Sequence, residues 1–205
     1  FMIIMYLVPG LAAGLALILY VAAMLCLLNG LDVTLTLPGI AGIILSIGMA
    51  VDANVIIFTR IREEIAGGMN VRNAIQTGFK KARSAILDGN ITTLIAAAVL
   101  YIKGSGTIKG FSVTLALGIV LSMFTALVVT HFIVNVLYGL GFTDEKYYGR
   151  QKAKKAIPFV QRAKIFYIIS AVVIIAGFVG MGLNHSNGRG AMNYSLDFTG
   201  GTSMT

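Results

Sequence analysis

Asp52 is the side chain whose chemistry this sequence has to explain. It stands in "SIGMAVDANVIIFTRIREEI" (46–65), where every other residue before Arg60 is apolar, small or uncharged. On translocon scales an Asp at the centre of a spanning helix costs about 2.5–3.5 kcal/mol. Arg60 follows eight residues later, about 12 Å along a helix axis, so Asp52 falls near the midplane of a hydrocarbon core about 30 Å thick. Ionisable groups at such depth usually face internal cavities and mark ion or proton paths. The chemistry expected of Asp52 is therefore that of a carboxyl that loads and unloads a proton, the proton serving as coupling ion. The residues alone leave a second reading open, a structural hydrogen-bonding group held neutral.

Other polar side chains are candidates for support. Asn54 lies on nearly the opposite side of the same helix from Asp52. Within "SAILDGNITTLIAA" (84–97), Asp88, Asn90, Thr92 and Thr93 fall in the first turns of a helix expected at 84–102. Asp88 and Thr92 share a face at i, i+4. Asp88 reads first as helix-start stabilisation, with a direct proton role as its alternative. His131 reads as a lone hydrogen-bonded histidine, with titration as the alternative.

Several chemistries find no support. His131 and His185 lack metal-ligand spacing, and a single cysteine, Cys26, allows neither an internal disulfide nor a CxxC site. "KGSGTIKG" (103–110) lacks the Gly-Lys-Ser/Thr ending of a phosphate loop and reads as a tight link. Neither an enzyme constellation nor a metal or cofactor is expected.

The elements that must hold Asp52 follow from composition. Hydrophobic residues make up 57% and charged residues 12% of the 205, and several windows reach the roughly 20 apolar residues that span a bilayer as helix. The fold class expected is all-α, a polytopic transmembrane helix bundle surrounded by lipid bilayer. Residues 1–8 read as the tail of a span ended by Pro9-Gly10. Helices are expected at 11–28, 38–59, 84–102, 110–138 and 164–183. On helix 38–59, Gly39, Gly42, Ser46, Ala50 and Ala53 fall in an arc of about 80°, a small-residue stripe that lets another helix approach closely. That places the helix centrally in the bundle.

Charge sets the orientation. Of 16 basic residues, 13 lie in 60–83 or in 139–163 with its helix border, and only Lys103, Lys109 and Arg189 lie on the other side. The positive-inside rule makes the two basic segments cytoplasmic, with 29–37, 103–109 and 184–205 outside. The formal charge of +8 is thus topological, and a nucleic-acid partner is not expected. Within the first basic segment, "NVRNAIQTGFKKAR" (70–83) has Val71, Ile75 and Phe79 at i, i+4, i+8 and reads as a short helix in the cytoplasmic interface, or else as a solvated connector. The chain opens in mid-apolar run and ends as a soluble pattern begins, so it reads as a piece of a longer polypeptide.

"LTLPGIAGIILSIGMAVDANVIIFTRIREEI" (35–65) strongly resembles the signature of the SecD family, accessory subunits of the bacterial Sec export machinery. "LDGNITTLIAA" (87–97) resembles that family's second membrane motif, and "YSLDFTGGT" (194–202) the opening of the first extracytoplasmic domain of SecF. Thr59 stands where the family commonly has Glu, and Gly89 where Ala is usual. The resemblance implies a fused SecD–SecF order: SecD-like helices over 1–138, a basic linker over 139–163, the first SecF-like helix at 164–183 and the start of a SecF-like domain at 184–205. It also implies half of a pseudo-symmetric transporter membrane domain of the resistance-nodulation-division type. Its proton-carrying Asp corresponds to Asp52, and Arg60, Arg62, Glu63 and Glu64 form its cytoplasmic motif. The implied role is to use the proton-motive force to promote polypeptide export across the prokaryotic cytoplasmic membrane. Its implied partners are the Sec channel complex, the unfolded preprotein and the remaining SecD and SecF segments. A proton-coupled exporter of small molecules or lipids in the same superfamily, and a passive translocon scaffold, are the alternatives.

Overall fold

The structure, a computed structural model, describes residues 2–149 and 163–186, with side chains through Asn184. It divides into two units, Phe1–Ala153 and Lys154–Thr205. The expected linker is thus described only at 139–149 and at its last residue, and the expected extracytoplasmic segment, including "YSLDFTGGT", lies outside the described residues beyond Ser186.

The first unit is helical: α1 (Met2–Tyr6), α2 (Val8–Gly30), α3 (Leu37–Ala66), α4 (Val71–Lys103), α5 (Gly106–Phe124) and α6 (Thr130–Gly139), with a π-turn at Thr125–Val129 joining the last two. A short 3-10 helix follows at Glu145–Tyr148. The second unit contributes α7 (Ala163–Ser186), a single apolar helix. Among the described residues five stretches are long and apolar enough to cross a bilayer: α2, α3, α4, the continuous α5–α6 and α7 through Asn184. Among the described residues there is no strand.

The helices begin and end where their termini find partners. The Thr36 side chain caps α3 by accepting from the Gly39 amide at 3.1 Å, with Pro38 in the first turn, where its missing N–H costs nothing. Asn70 caps α4 in the same way, accepting from Asn73 at 2.9 Å. Between them Gly68 takes φ 88°, a left-handed turn that glycine adopts without steric cost.

Several boundaries differ from those read in the sequence. The chain breaks at Leu7 (φ 51°) and not at Pro9-Gly10, which lie in the first turn of α2. Gly10 is required there because α1 folds back so closely that a Cβ would overlap the Met2 carbonyl. Helix α3 runs seven residues past 59, since Ile57, Ile61 and Ile65 continue one buried face through the charged motif. The segment 70–83 is neither a separate interfacial helix nor a connector but the first third of α4. Its apolar face, Val71, Ala74, Ile75, Gly78 and Phe79, is buried inside the protein. There a Cβ on Gly78 would meet the Ile61 backbone nitrogen at 2.8 Å. Asp88 consequently sits 17 residues beyond the start of α4 and stabilises no helix start. Finally, the link at 103–110 shrinks to Gly104 and Ser105.

At 30 and 33 residues, α3 and α4 are about 45–50 Å long, well beyond the roughly 20 residues that span the hydrocarbon. Their basic ends form an antiparallel arm, held by Lys81 Nζ to Glu64 Oε1 at 2.6 Å.

Candidate functional site

Helix α3 meets α5 through small residues. Gly39, Gly42, Ser46, Ala50 and Ala53 are all buried, and α5 answers with Thr114, Gly118 and Ser122, also buried. A Cβ on Gly42 would stand 2.6 Å from Thr114 Oγ1. The close approach lets the Thr114 hydroxyl donate to the Gly39 carbonyl at 3.0 Å. One helix over, Tyr20 of α2 donates to Ser46 Oγ at 2.7 Å, and the Ser46 hydroxyl in turn donates to the Ile43 carbonyl at 2.8 Å. In lipid, where helix association gains little from the hydrophobic effect, such packing and interhelical bonds supply the adhesion.

Asn54 belongs to this framework and not to the surroundings of Asp52. Its amide nitrogen donates to the Ala50 carbonyl at 3.1 Å, and its oxygen accepts from Thr130 Oγ1 at 2.9 Å. The π-turn gives Thr130 its second acceptor, the Thr125 carbonyl at 3.1 Å. An inserted residue of this kind turns the following side chains on the helix, and here it fixes α3 to the α5–α6 helix at the level of Asp52.

Asp52, the sixteenth residue of α3, lies on the edge that faces α4. It lines a groove of about 210 Å³ with Met49, Ala53, Ile56, Ile86, Gly89, Asn90 and Thr93, among others. The structure thus brings Asp52, Asn90 and Thr93 together. Asp88 and Thr92 stay outside the groove and exposed, tied to their own helix by Ser84 Oγ to Asp88 Oδ2 at 3.4 Å and Thr92 Oγ1 to the Asp88 carbonyl at 3.0 Å. Asn90 and Thr93 donate to the Ile86 and Gly89 carbonyls, which leaves the oxygens of their side chains as acceptors toward the groove. The groove is open, and Asp52 is exposed among the described residues with neither an ion pair nor a hydrogen bond there. The central, enclosed position expected for it is thus not found in this stretch of chain. The stripe and Asn54 take the closely packed faces of α3, leaving the carboxyl at the rim.

Two of the four motif residues pair with each other, and the other two reach different elements. Arg60 pairs with Glu63 at 2.7 Å, both well exposed, a pair of small energetic consequence. Glu64 takes Lys81 of α4. Arg62 donates from Nε to the Gly149 carbonyl at 2.7 Å and lies 5.2 Å above the Tyr6 ring. It thereby fastens the segment after α6 to the base of the helix that carries Asp52. Gly149 takes φ 75° beneath that guanidinium. Beside it Tyr148 is fully buried, with no hydrogen-bond partner for its hydroxyl among the described residues. Burial, reinforced by Tyr138, pushes that phenol up to about 12, so it stays neutral.

Thr59 receives the Tyr6 hydroxyl at 3.1 Å and donates to the Val55 carbonyl at 2.8 Å. A Cβ on Gly89 would meet nothing within 4 Å. Both departures from the family pattern are therefore accommodated. Sequence reasoning missed Tyr20, Thr114, Gly118, Ser122, Thr130 and Gly149. The four-residue spacing of Gly110, Thr114, Gly118 and Ser122 was the available signal for the α5 side of the stripe.

Long apolar helices joined by short links, with one carboxylate lining a groove midway along a span, define a polytopic α-helical membrane protein. The chain belongs to the SecD/SecF family: the family model described as protein export membrane protein SecD/SecF, C-terminal, matches residues 3–139. Protein translocase subunit SecD of Acidaminococcus fermentans is 58% identical over 143 residues, covering 70% of this chain and 34% of that protein. Its counterpart from Pseudomonas aeruginosa is 52% identical over 139 residues, covering 68% and 22%. The chain therefore spans about a third or less of these relatives' length. Among solved structures, SecDF from Thermus thermophilus, described as a translocon-associated membrane protein, matches with a TM-score of 0.80 at 38% identity, over 97% of this chain and 27% of that one.

Proposed function

We propose that this chain is part of an accessory subunit of the Sec export machinery that uses the proton-motive force to promote polypeptide translocation across the prokaryotic cytoplasmic membrane. The observation that carries the reading is Asp52, a carboxyl without an ion partner among the described residues, halfway along α3 in a groove with Asn90 and Thr93. A passive scaffold gains nothing from so costly a group at that depth. The pseudo-symmetric transporter architecture, the Sec channel as partner and the preprotein as substrate belong to the same proposal. So does the proton as coupling ion, with no other cofactor. The relatives named as translocase subunits favour it over an exporter of small molecules or lipids.

Two experiments test it. Vesicles carrying the protein as the cell makes it should export a preprotein faster with an imposed proton gradient than after a protonophore, relative to vesicles lacking it. Equal rates would refute proton coupling. For the orientation, cysteines placed at Ser105 and Lys146, both exposed, should react with a membrane-impermeant maleimide from opposite faces, Lys146 from the cytoplasmic side. Labelling of both from one face overturns the topology.

A further inference from the structure

The basic end of the bundle holds a second concavity, separate from the Asp52 groove. It is a cleft of about 380 Å³ between the first third of α4 and the α5–α6 helix, lined by Gln76, Phe79, Lys80, Arg83, Leu127, Val128 and His131. Phe79 and His131 close it with ring centroids 4.4 Å apart. None of the lining side chains is acidic.

The charges at this end divide into two groups. Arg60, Arg62 and Lys81 are engaged, by Glu63, the Gly149 carbonyl and Glu64. Arg72, Lys80, Arg83 and Lys146 have neither an ion pair nor a hydrogen bond among the described residues, and of these Lys80 and Arg83 border the cleft. Two unneutralised cations one helical turn apart, beside a histidine and a glutamine, make a receptor for an anion.

Depth says what kind of anion. Both helices begin their passage at the opposite membrane face, near Lys103 and Gly106. Counted from there at the α-helical rise, Arg83 and Val128 lie about 30–33 Å away and Lys80 about 35 Å. That is where a hydrocarbon core about 30 Å thick gives way to headgroups. The apolar edge continues toward the membrane interior: Val128 and Phe124 are 52% and 54% exposed, one turn apart on the same side. A cationic pocket at headgroup level with an exposed apolar strip running into the core matches both parts of a phospholipid.

We infer that this cleft binds the headgroup phosphate of an anionic phospholipid, with Lys80 and Arg83 as its cationic ligands and Val128 and Phe124 along an acyl chain. On the orientation proposed above this is a lipid of the cytoplasmic leaflet. Because Lys80 and Arg83 stand on α4, the helix that also forms one wall of the Asp52 groove, such a lipid would brace that wall. The site stands whether or not Asp52 carries protons, since its readout is lipid binding and not export.

The test is native mass spectrometry of the intact protein, titrated with phosphatidylglycerol or phosphatidylcholine in mixed micelles. Phosphatidylglycerol should be retained in preference to phosphatidylcholine. The Lys80→Gln/Arg83→Gln double variant should lose about thirtyfold in affinity for it, roughly fivefold for each basic residue. Lys81→Gln, which removes an equal charge already paired with Glu64, should bind like the parent. Either single variant decides the point if the double variant folds poorly. Three results overturn the inference: equal retention of both lipids, undiminished binding by the variants, or displacement of the lipid by excess inorganic phosphate, which would mark a free-anion site.

Discussion

Asp52→Asn is expected to abolish gradient-dependent stimulation of export while leaving the protein folded and inserted. The side chains are nearly isosteric, and Asp52 has neither an ion pair nor a hydrogen bond among the described residues, so the substitution orphans no partner there. What it removes is the titration. Moving one charge through the membrane field is worth about 2.3 kcal/mol per 100 mV, enough to shift a two-state equilibrium more than tenfold when the two states differ in proton access. The informative comparison is with Asn54→Ala, two residues along the same helix. That change removes the acceptor of the Thr130 hydroxyl inside the bundle, so it should cost about 1 kcal/mol of stability while retaining a response to the gradient. Export rates with and without a protonophore, beside melting curves, separate the two effects. If the Asp52→Asn variant still responds to the gradient like its parent, the carboxyl is structural and the motor reading of α3 fails.

That contrast between neighbouring residues bears on what the sequence could reveal. The five spans and the small-residue face of α3 were legible because each is a property of one helix: a run of apolar residues, or an arc of residues without bulk. The helix ends were not. Hydropathy falls at Arg60, but the backbone continues helical because Ile57, Ile61 and Ile65 repeat at i, i+4 and stay buried through the charged motif. The same holds for Val71, Ile75 and Phe79, whose apolar face suits a membrane interface and a protein partner equally well. Only the fold shows that it is Ile61 that approaches Gly78.

Pairings between helices were harder still. Ile86, Gly89, Asn90 and Thr93 follow i, i+3, i+4, i+7 and form one face of α4, yet nothing in that pattern says that Asp52 stands opposite. Asp88, read first as helix-start stabilisation, and Thr92 were also candidates from the sequence and lie outside the groove. The π-turn at 125–129 changes which side of the α5–α6 helix Thr130 presents, and its sequence, "TALVV", carries no breaker to announce it. The arginine motif is the mixed case: its charge gave an orientation, but its partner Gly149 lies 87 residues away.

Leucine at Gly42 or Gly118 is expected to produce the largest loss of stability of any change in the membrane region. Each glycine is a point of contact and not a flexible hinge. A Cβ on Gly118 would overlap Ser46 and stand 3.1 Å from the Tyr20 hydroxyl, and one on Gly42 would stand 3.1 Å from the Phe111 carbonyl as well as 2.6 Å from Thr114 Oγ1. Backbone carbonyls and hydroxyls already bonded to other groups cannot rotate aside, so the helices must separate. Separation then breaks the Thr114–Gly39 and Tyr20–Ser46 bonds together. Overpacking alone typically costs about 1–3 kcal/mol, and the lost interhelical bonds add about 0.6 kcal/mol each on the membrane scale. Gly48 supplies the control, because it lies on the same helix, is exposed, and would place a Cβ within 4 Å of nothing. Gly48→Leu should melt at or above the parent temperature, since leucine is favoured over glycine inside a helix by somewhat less than about 1 kcal/mol. Thermal melting of the purified protein in detergent, with its steady-state level in membranes, reads the difference. If Gly42→Leu melts together with Gly48→Leu, α3 and α5 do not meet through this stripe, and the framework that sets Asp52 at the rim of the groove is wrong.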